Sequence, residues 1–144
     1  MTVLEQSTSI ELVAHLLRRA AFGEPASKLE ARLSKSYKTI VEDLIDIGNY
    51  PRLEEDLLER HNLQHADEEV NYWTKARWIY RMINSPRPLE EKVALMWHGV
   101  FATGTSKVTN NPMIRTHYEM LRDKGLGNFR DLLVALAKDP AMIF

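Results

Sequence analysis

The residues with the means to do chemistry gather after Ser85. A proline-started stretch runs from Ser85 to Thr103 and carries Glu90, Glu91, Trp97 and His98, and Ala102 to Asn110 follows it as the one long run rich in small hydroxyl residues. At about 100° per residue, His98 lies about 150° from the centre of that helix's apolar stripe and on the same side as Glu91. A histidine at a helix C-terminus gains from the dipole when protonated, and a nearby carboxylate raises its pKa further. His98 is therefore a candidate proton donor or anion ligand. Arg87, Lys107 and the pair Arg18 and Arg19 are candidate positive surroundings, and Thr103 a candidate ligand contact in the Thr103–Asn110 loop. That loop offers amides, hydroxyls and a cation to a phosphate or sulfate but lacks the glycine and lysine spacing of a P-loop. The plainer reading is a second packing interface in which His98 bonds to a backbone group.

Other side chains that could act have plain readings as well. His61 and His65 stand one helical turn apart in a polar segment, a spacing that permits a shared metal, but no third ligand is placed to complete the set. Arg77 and Arg81, also one turn apart, lie beside aromatic residues where they could stack on rings or clasp an anion. His117 shares a helical face with Ile114, Tyr118 and Leu121, which predicts a partly buried, hydrogen-bonded histidine. Ser106 lacks the Gly-x-Ser-x-Gly elbow of a serine nucleophile.

These residues are positioned by helices, and the signals for them are local. Thr8 and Ser9 with Glu11 make a capping-box start for a helix running to about Phe22, with Gly23 as the stop. Leu12, Val13, Leu16, Leu17 and Ala20 form its apolar face, opposite His15, Arg18 and Arg19. Short helices follow from Pro25 to Ile45, and Leu53 to Glu69 reads as a loose helix and loop. From Asp67 to Asn84, Tyr72, Trp73, Ala76, Ile79, Tyr80 and Ile83 make one stripe while Trp78 and Met82 lie nearly opposite, as in a helix buried on two sides or used at an interface. Prolines and acids start the central helix near Pro86 or Pro88. Leu89, Val93, Met96, Trp97 and Val100 share one side of it, so Trp97 is expected in the core and His98 away from it. Asn111 and Pro112 start a further helix that ends at Gly125, and Asn128 caps another that stops at Asp139-Pro140. No segment alternates with period two. The expected fold is all-α, an irregular multi-helix bundle of about six or seven helices with its core centred on Trp97.

Four of these stretches resemble a family: His15-Leu16-Leu17-Arg18-Arg19-Ala20-Ala21-Phe22-Gly23, Trp97 to Thr103 with Arg87-Pro88-Leu89 before it, Gly127 to Leu133, and Asp139-Pro140-Ala141-Met142. In this order they are similar to the bacterial family filed as domain of unknown function 1800. The resemblance implies a mostly helical protein of several hundred residues, often encoded beside a sulfatase-like companion, with no established activity and no agreed catalytic residue. Family members often carry a second histidine two residues after the first. Here that position is Val100, so the pair is gone and no metal is expected at His98.

Composition narrows the classes. The chain has 144 residues, the size of one domain. Its 44% hydrophobic and 27% charged residues fit a globule rather than a disordered or membrane chain. No apolar run nears the roughly 20 residues that span a bilayer. A balance of 19 basic against 20 acidic residues argues against a dedicated nucleic-acid binder. The absence of cysteine excludes disulfides, thiolate metal sites and thiol nucleophiles. Met1 to Ser9 holds no basic-then-apolar run, so no signal peptide is visible and the cytoplasm is the default compartment. Met142, Ile143 and Phe144 end the sequence on an apolar cluster, which reads as a single helical domain or the N-terminal portion of a longer one truncated after Phe144. The remainder of that longer chain is then the first expected partner. Two functions stay open, a packing or interaction module and part of an enzyme whose pocket uses His98 and the Thr103–Asn110 loop; neither names a cofactor.

Overall fold

Helix starts follow the side chains able to cap them. A computed structural model describes residues 9–54, 60, 70–104, 107, 108 and 110–143. The Ser9 hydroxyl accepts from the Leu12 amide at 3.2 Å and opens α1 (Ile10–Ala20). Thr8, the other half of the expected cap, lies outside the described residues. Gly23, at φ +84°, turns the chain out of α1 as the sequence predicts. After α2 (Ala26–Arg32), Ser36 caps α3 (Tyr37–Ile45) by accepting from the Thr39 amide. A 3-10 turn, Ile47–Asn49, ends this first half. Val13, Leu17 and Ala21 meet Ile40 and Leu44 in a small core of their own.

The second half consists of α4 (Val70–Asn84), α5 (Pro88–Val100), α6 (Asn111–Lys124), α7 (Phe129–Leu136) and the single turn α8 (Pro140–Ile143). Asn110, one residue earlier than the sequence suggests, caps α6 by accepting from Met113, and Asn128 caps α7. Asp139-Pro140 stops α7 but also starts α8, because Asp139 Oδ1 accepts from the Ala141 amide at 2.9 Å. The larger core joins Trp78, Ala94, Ile114, Tyr118, Leu121, Leu132 and Leu136. Helix α5 touches α4 and α6 on one side and α1 and α3 on the other, so it links the two cores. The fold is all-α, with eight α-helices and no strand among the described residues.

Two helices present a different face from the one their apolar spacing predicts. On α5, Met96 and Val100 are exposed, whereas Glu90, Glu91 and Ala94 are buried and His98 is half-buried among rings. His98 thus points into the core and not away from it. Trp97 packs at the margin of that core, stacked on Phe101 and Phe129 with its indole N–H donating to the Gly125 carbonyl at 2.9 Å. On α4, Trp78 and Met82 pack inward while Ile79, Tyr80 and Ile83 are exposed, Ile83 by 74%. The side chains of Tyr72 and Trp73, in the same expected stripe, lie outside those described. The physical reason is the same for both helices: neighbouring arginines make a polar arc of α5 buriable, and α4 then turns its indole toward that arc.

Gly125 permits the close crossing of α5 and α6. A Cβ there would stand 2.5 Å from the Leu121 carbonyl, 3.0 Å from Trp97 Cδ1 and 3.3 Å from Val93 Cγ1. Gly125→Ala should therefore lower stability by about 1–3 kcal/mol through overpacking. Urea unfolding at neutral pH checks this, and an unchanged midpoint would contradict the crossing.

Candidate functional site

Buried charge concentrates where α4, α5 and α6 meet. Glu91 is 2% exposed, and its Oε1 lies 2.8 Å from Nε of the buried Arg122 in an ion pair that joins α5 to α6. Glu90, also buried, lies 3.7 Å from Arg87 and 4.0 Å from Arg52, and Arg52 in turn pairs with Asp123 at 2.6 Å. Glu90, Glu91, Arg122, Arg52 and Asp123, with Arg81, Ser85 and Glu119, wall a cavity of about 250 Å³. Glu119 holds Arg115 at 2.9 Å and Arg77 at 3.5 Å.

Burial sets the proton affinities here. It pushes the Glu91 carboxyl up to about 7, against the pull of the Arg81 charge and the Trp78 indole N–H. Glu90 is raised for the same reason, opposed by Arg52 and Arg87. Burial lowers Arg81, and the Glu91 and Glu119 charges oppose that shift. A carboxyl poised near neutral pH in a small polar cavity is equipped to give or take a proton.

Behind the cavity wall is a knot of rings. Trp78 lies 4.3 Å from Tyr118 and 5.2 Å from His98, and His98 meets Tyr118 edge-on at 5.0 Å. Burial, and secondarily the proximity of His117, lowers the His98 pKa. This is the reverse of the shift expected for a histidine at a solvated helix end beside a carboxylate. His117 is buried completely, and its Nδ1 is 2.5 Å from Asp139 Oδ2, so the hydrogen bond read from the sequence is present. His98 Nδ1 and His117 Nε2 are buried with no hydrogen-bond partner. Leaving such an atom unmade costs about 1–3 kcal/mol.

The other residues singled out by the sequence are dispersed. Arg87 clamps the Tyr50 carbonyl, its Nε donating at 2.8 Å, and braces Glu90. Thr103 is half-buried, with its hydroxyl oxygen buried and unpartnered, while Lys107 is exposed. Arg18 and Arg19 are exposed on α1 and do not line the cavity. His61 and His65, the segment 55–59, and Thr105, Ser106 and Thr109 of the hydroxyl-rich loop lie outside the described residues. Arg52, Glu119, Arg122 and Asp123 are cavity residues that the sequence reading did not pick out. The traces of the cavity were Arg81, able to clasp an anion, and the acids Glu90 and Glu91, with Glu91 on the same side as His98. Among the described residues no three His, Asp or Glu side chains gather as a metal shell, and no helix is long and apolar enough to cross a membrane.

A family model described as "Protein of unknown function (DUF1800)" matches residues 15–144, so the chain belongs to that family. No curated protein and no solved structure matches the chain.

The Glu91 shift has a pH signature. Because the folded chain holds this proton more tightly than the unfolded one, its stabilising contribution is complete below about pH 4.5 and is lost as pH rises through about 7. Relative to Glu91→Gln, the wild-type chain should lose stability across that window and level off above it. Denaturant unfolding of both chains from pH 4 to 8 measures the difference, and a flat difference would rule out a raised Glu91.

Proposed function

We propose that in this member of the family the cavity between α4, α5 and α6 takes a small polar ligand and exchanges a proton with it through Glu91. The observation that carries this reading is a buried carboxyl, held near neutrality, on the wall of a cavity. A general acid or base works best when its pKa lies near the operating pH. Arg52, Arg81 and Arg122 would orient a carbonyl or an anionic group, and the volume of about 250 Å³ suits a ligand smaller than a drug-sized molecule. The enzyme reading drawn from the sequence thereby moves from His98 and the Thr103–Asn110 loop to Glu91, which lies two helical turns before His98 on α5. Acetate and inorganic phosphate serve as probes in an NMR titration. Shifts at the amides of residues 81, 85, 91 and 122 should saturate, and their pH dependence near 7 should vanish in Glu91→Gln. Shifts that ignore this substitution, or that spread over the surface, would defeat the proposal.

A second reading, a packing or interaction module, is supported by the outward arc of α4. Ile79 is 55% exposed and Ile83 74%, with Tyr80 beside them. Adjacent exposed apolar side chains on one helix are what a docking face requires. Under this reading the face meets the remainder of a longer chain or a companion protein, the sulfatase-like companion being the family-level candidate. Replacing Ile79 and Ile83 together by Ser should leave helicity and unfolding midpoint nearly unchanged, because neither side chain is in the core. Concentration-dependent association in sedimentation should fall. An unfolded double variant would show instead that the face is internal.

A further inference from the structure

The two unpartnered histidine nitrogens lie outside the cavity lining, and the proton-exchange reading gives them no work. We propose that His98 and His117 bind one divalent transition-metal ion of the kind that imidazole favours, Zn2+, Co2+, Ni2+ or Cu2+, through His98 Nδ1 and His117 Nε2.

His117 has the arrangement of a metal-ligating histidine. Its Nδ1–H donates to Asp139 Oδ2 at 2.5 Å, and the other oxygen of Asp139 is held by the Ala141 amide at 2.9 Å. The carboxylate is thus fixed at the start of α8, and it fixes in turn the ring and its tautomer. Nε2 is left as a bare acceptor, buried and without a partner. A carboxylate behind the far nitrogen is the usual support of a histidine ligand, and it strengthens the nitrogen that faces the metal.

His98 supplies the second nitrogen from the neighbouring helix. Its Nδ1 is also buried and unpartnered, and its ring stands edge-on against both Trp78 and Tyr118. Burial favours the neutral imidazole, the form that binds a metal. The two ring centres lie 5.9 Å apart with planes inclined at 67°. An ion about 2 Å from each ligating nitrogen places two imidazole centres about 5–6 Å apart, the separation these rings already have. The described residues bring no third His, Asp or Glu to this point. The remaining positions would hold water or a ligand, which is the open coordination typical of reactive rather than structural metal sites.

Zn2+ and Co2+ alone are the probes, titrated calorimetrically and by visible absorption into the untagged full chain after removal of metals with a chelator. One ion per chain is expected, with loss of binding in His98→Gln and in His117→Gln. Asp139→Asn should weaken binding about 10–100-fold, as removal of an outer-shell partner does elsewhere. His15→Gln, His61→Gln and His65→Gln should leave it intact. Far-UV circular dichroism shows which variants fold. Should His117→Gln or Asp139→Asn fail to fold, imidazole 15N spectra of the wild-type chain decide, with large Zn2+-dependent shifts expected at His98 Nδ1 and His117 Nε2. The proposal is overturned by a folded chain that binds no Zn2+, by binding that depends on His15, His61 or His65 instead, or by unmoved 15N signals at the two named nitrogens.

Discussion

Glu91 and Arg122 meet 2.8 Å apart with almost no solvent around either, and the packing of the second half follows from that contact. Two buried charges cost several kcal/mol each in lost hydration, and removing one partner of such a pair typically costs about 3–5 kcal/mol. The pair therefore says little about net stability and much about register. Helices α5 and α6 cannot slide or rotate past one another without stranding a charge. With that register set, Gly125 comes under Trp97, and its carbonyl receives the indole N–H. His117 reaches Asp139 on the far side of α6.

The same contact marks how far the sequence could be read. Helix starts were legible because their causes are local: Ser9, Ser36 and Asn128 cap, Pro88 occupies a first-turn position, and Gly23 takes the left-handed turn. The all-α class followed from the same signals. Facing was not legible on α4 and α5, because apolar periodicity locates the greasiest arc of a helix and not its most buried one. Glu90 and Glu91 looked like solvated acids at a helix start. They also serve the helix dipole, so one local role hid the other. Arginines distant in the sequence, among them Arg52 and Arg122, which lies 31 positions after Glu91 on a different helix, make the inner face of α5 tolerable.

His98 was legible as a residue of interest but not as one packed among rings. Helical angle placed it beside Glu91, which is correct, and opposite Trp97's stripe, which is also correct. The error lay in assigning solvent to that side. Arg87, read as a free cation for a ligand, is bound to the Tyr50 carbonyl and to Glu90. Arg18, Arg19 and Lys107 remain exposed, as most charged side chains do. A single sequence offers no means to separate the arginine that clamps backbone from the one that lines a cavity.

Trp78 separates two polar regions with different chemistry. On one side its indole N–H lies near enough to Glu91 to oppose the rise in its pKa, without a hydrogen bond; on the other its ring lies against His98 and Tyr118. Such a partition lets a carboxyl rise toward neutrality on one side while an imidazole falls below its ordinary range on the other. Burial drives both shifts, since each is a retreat from charge in a poorly hydrated space.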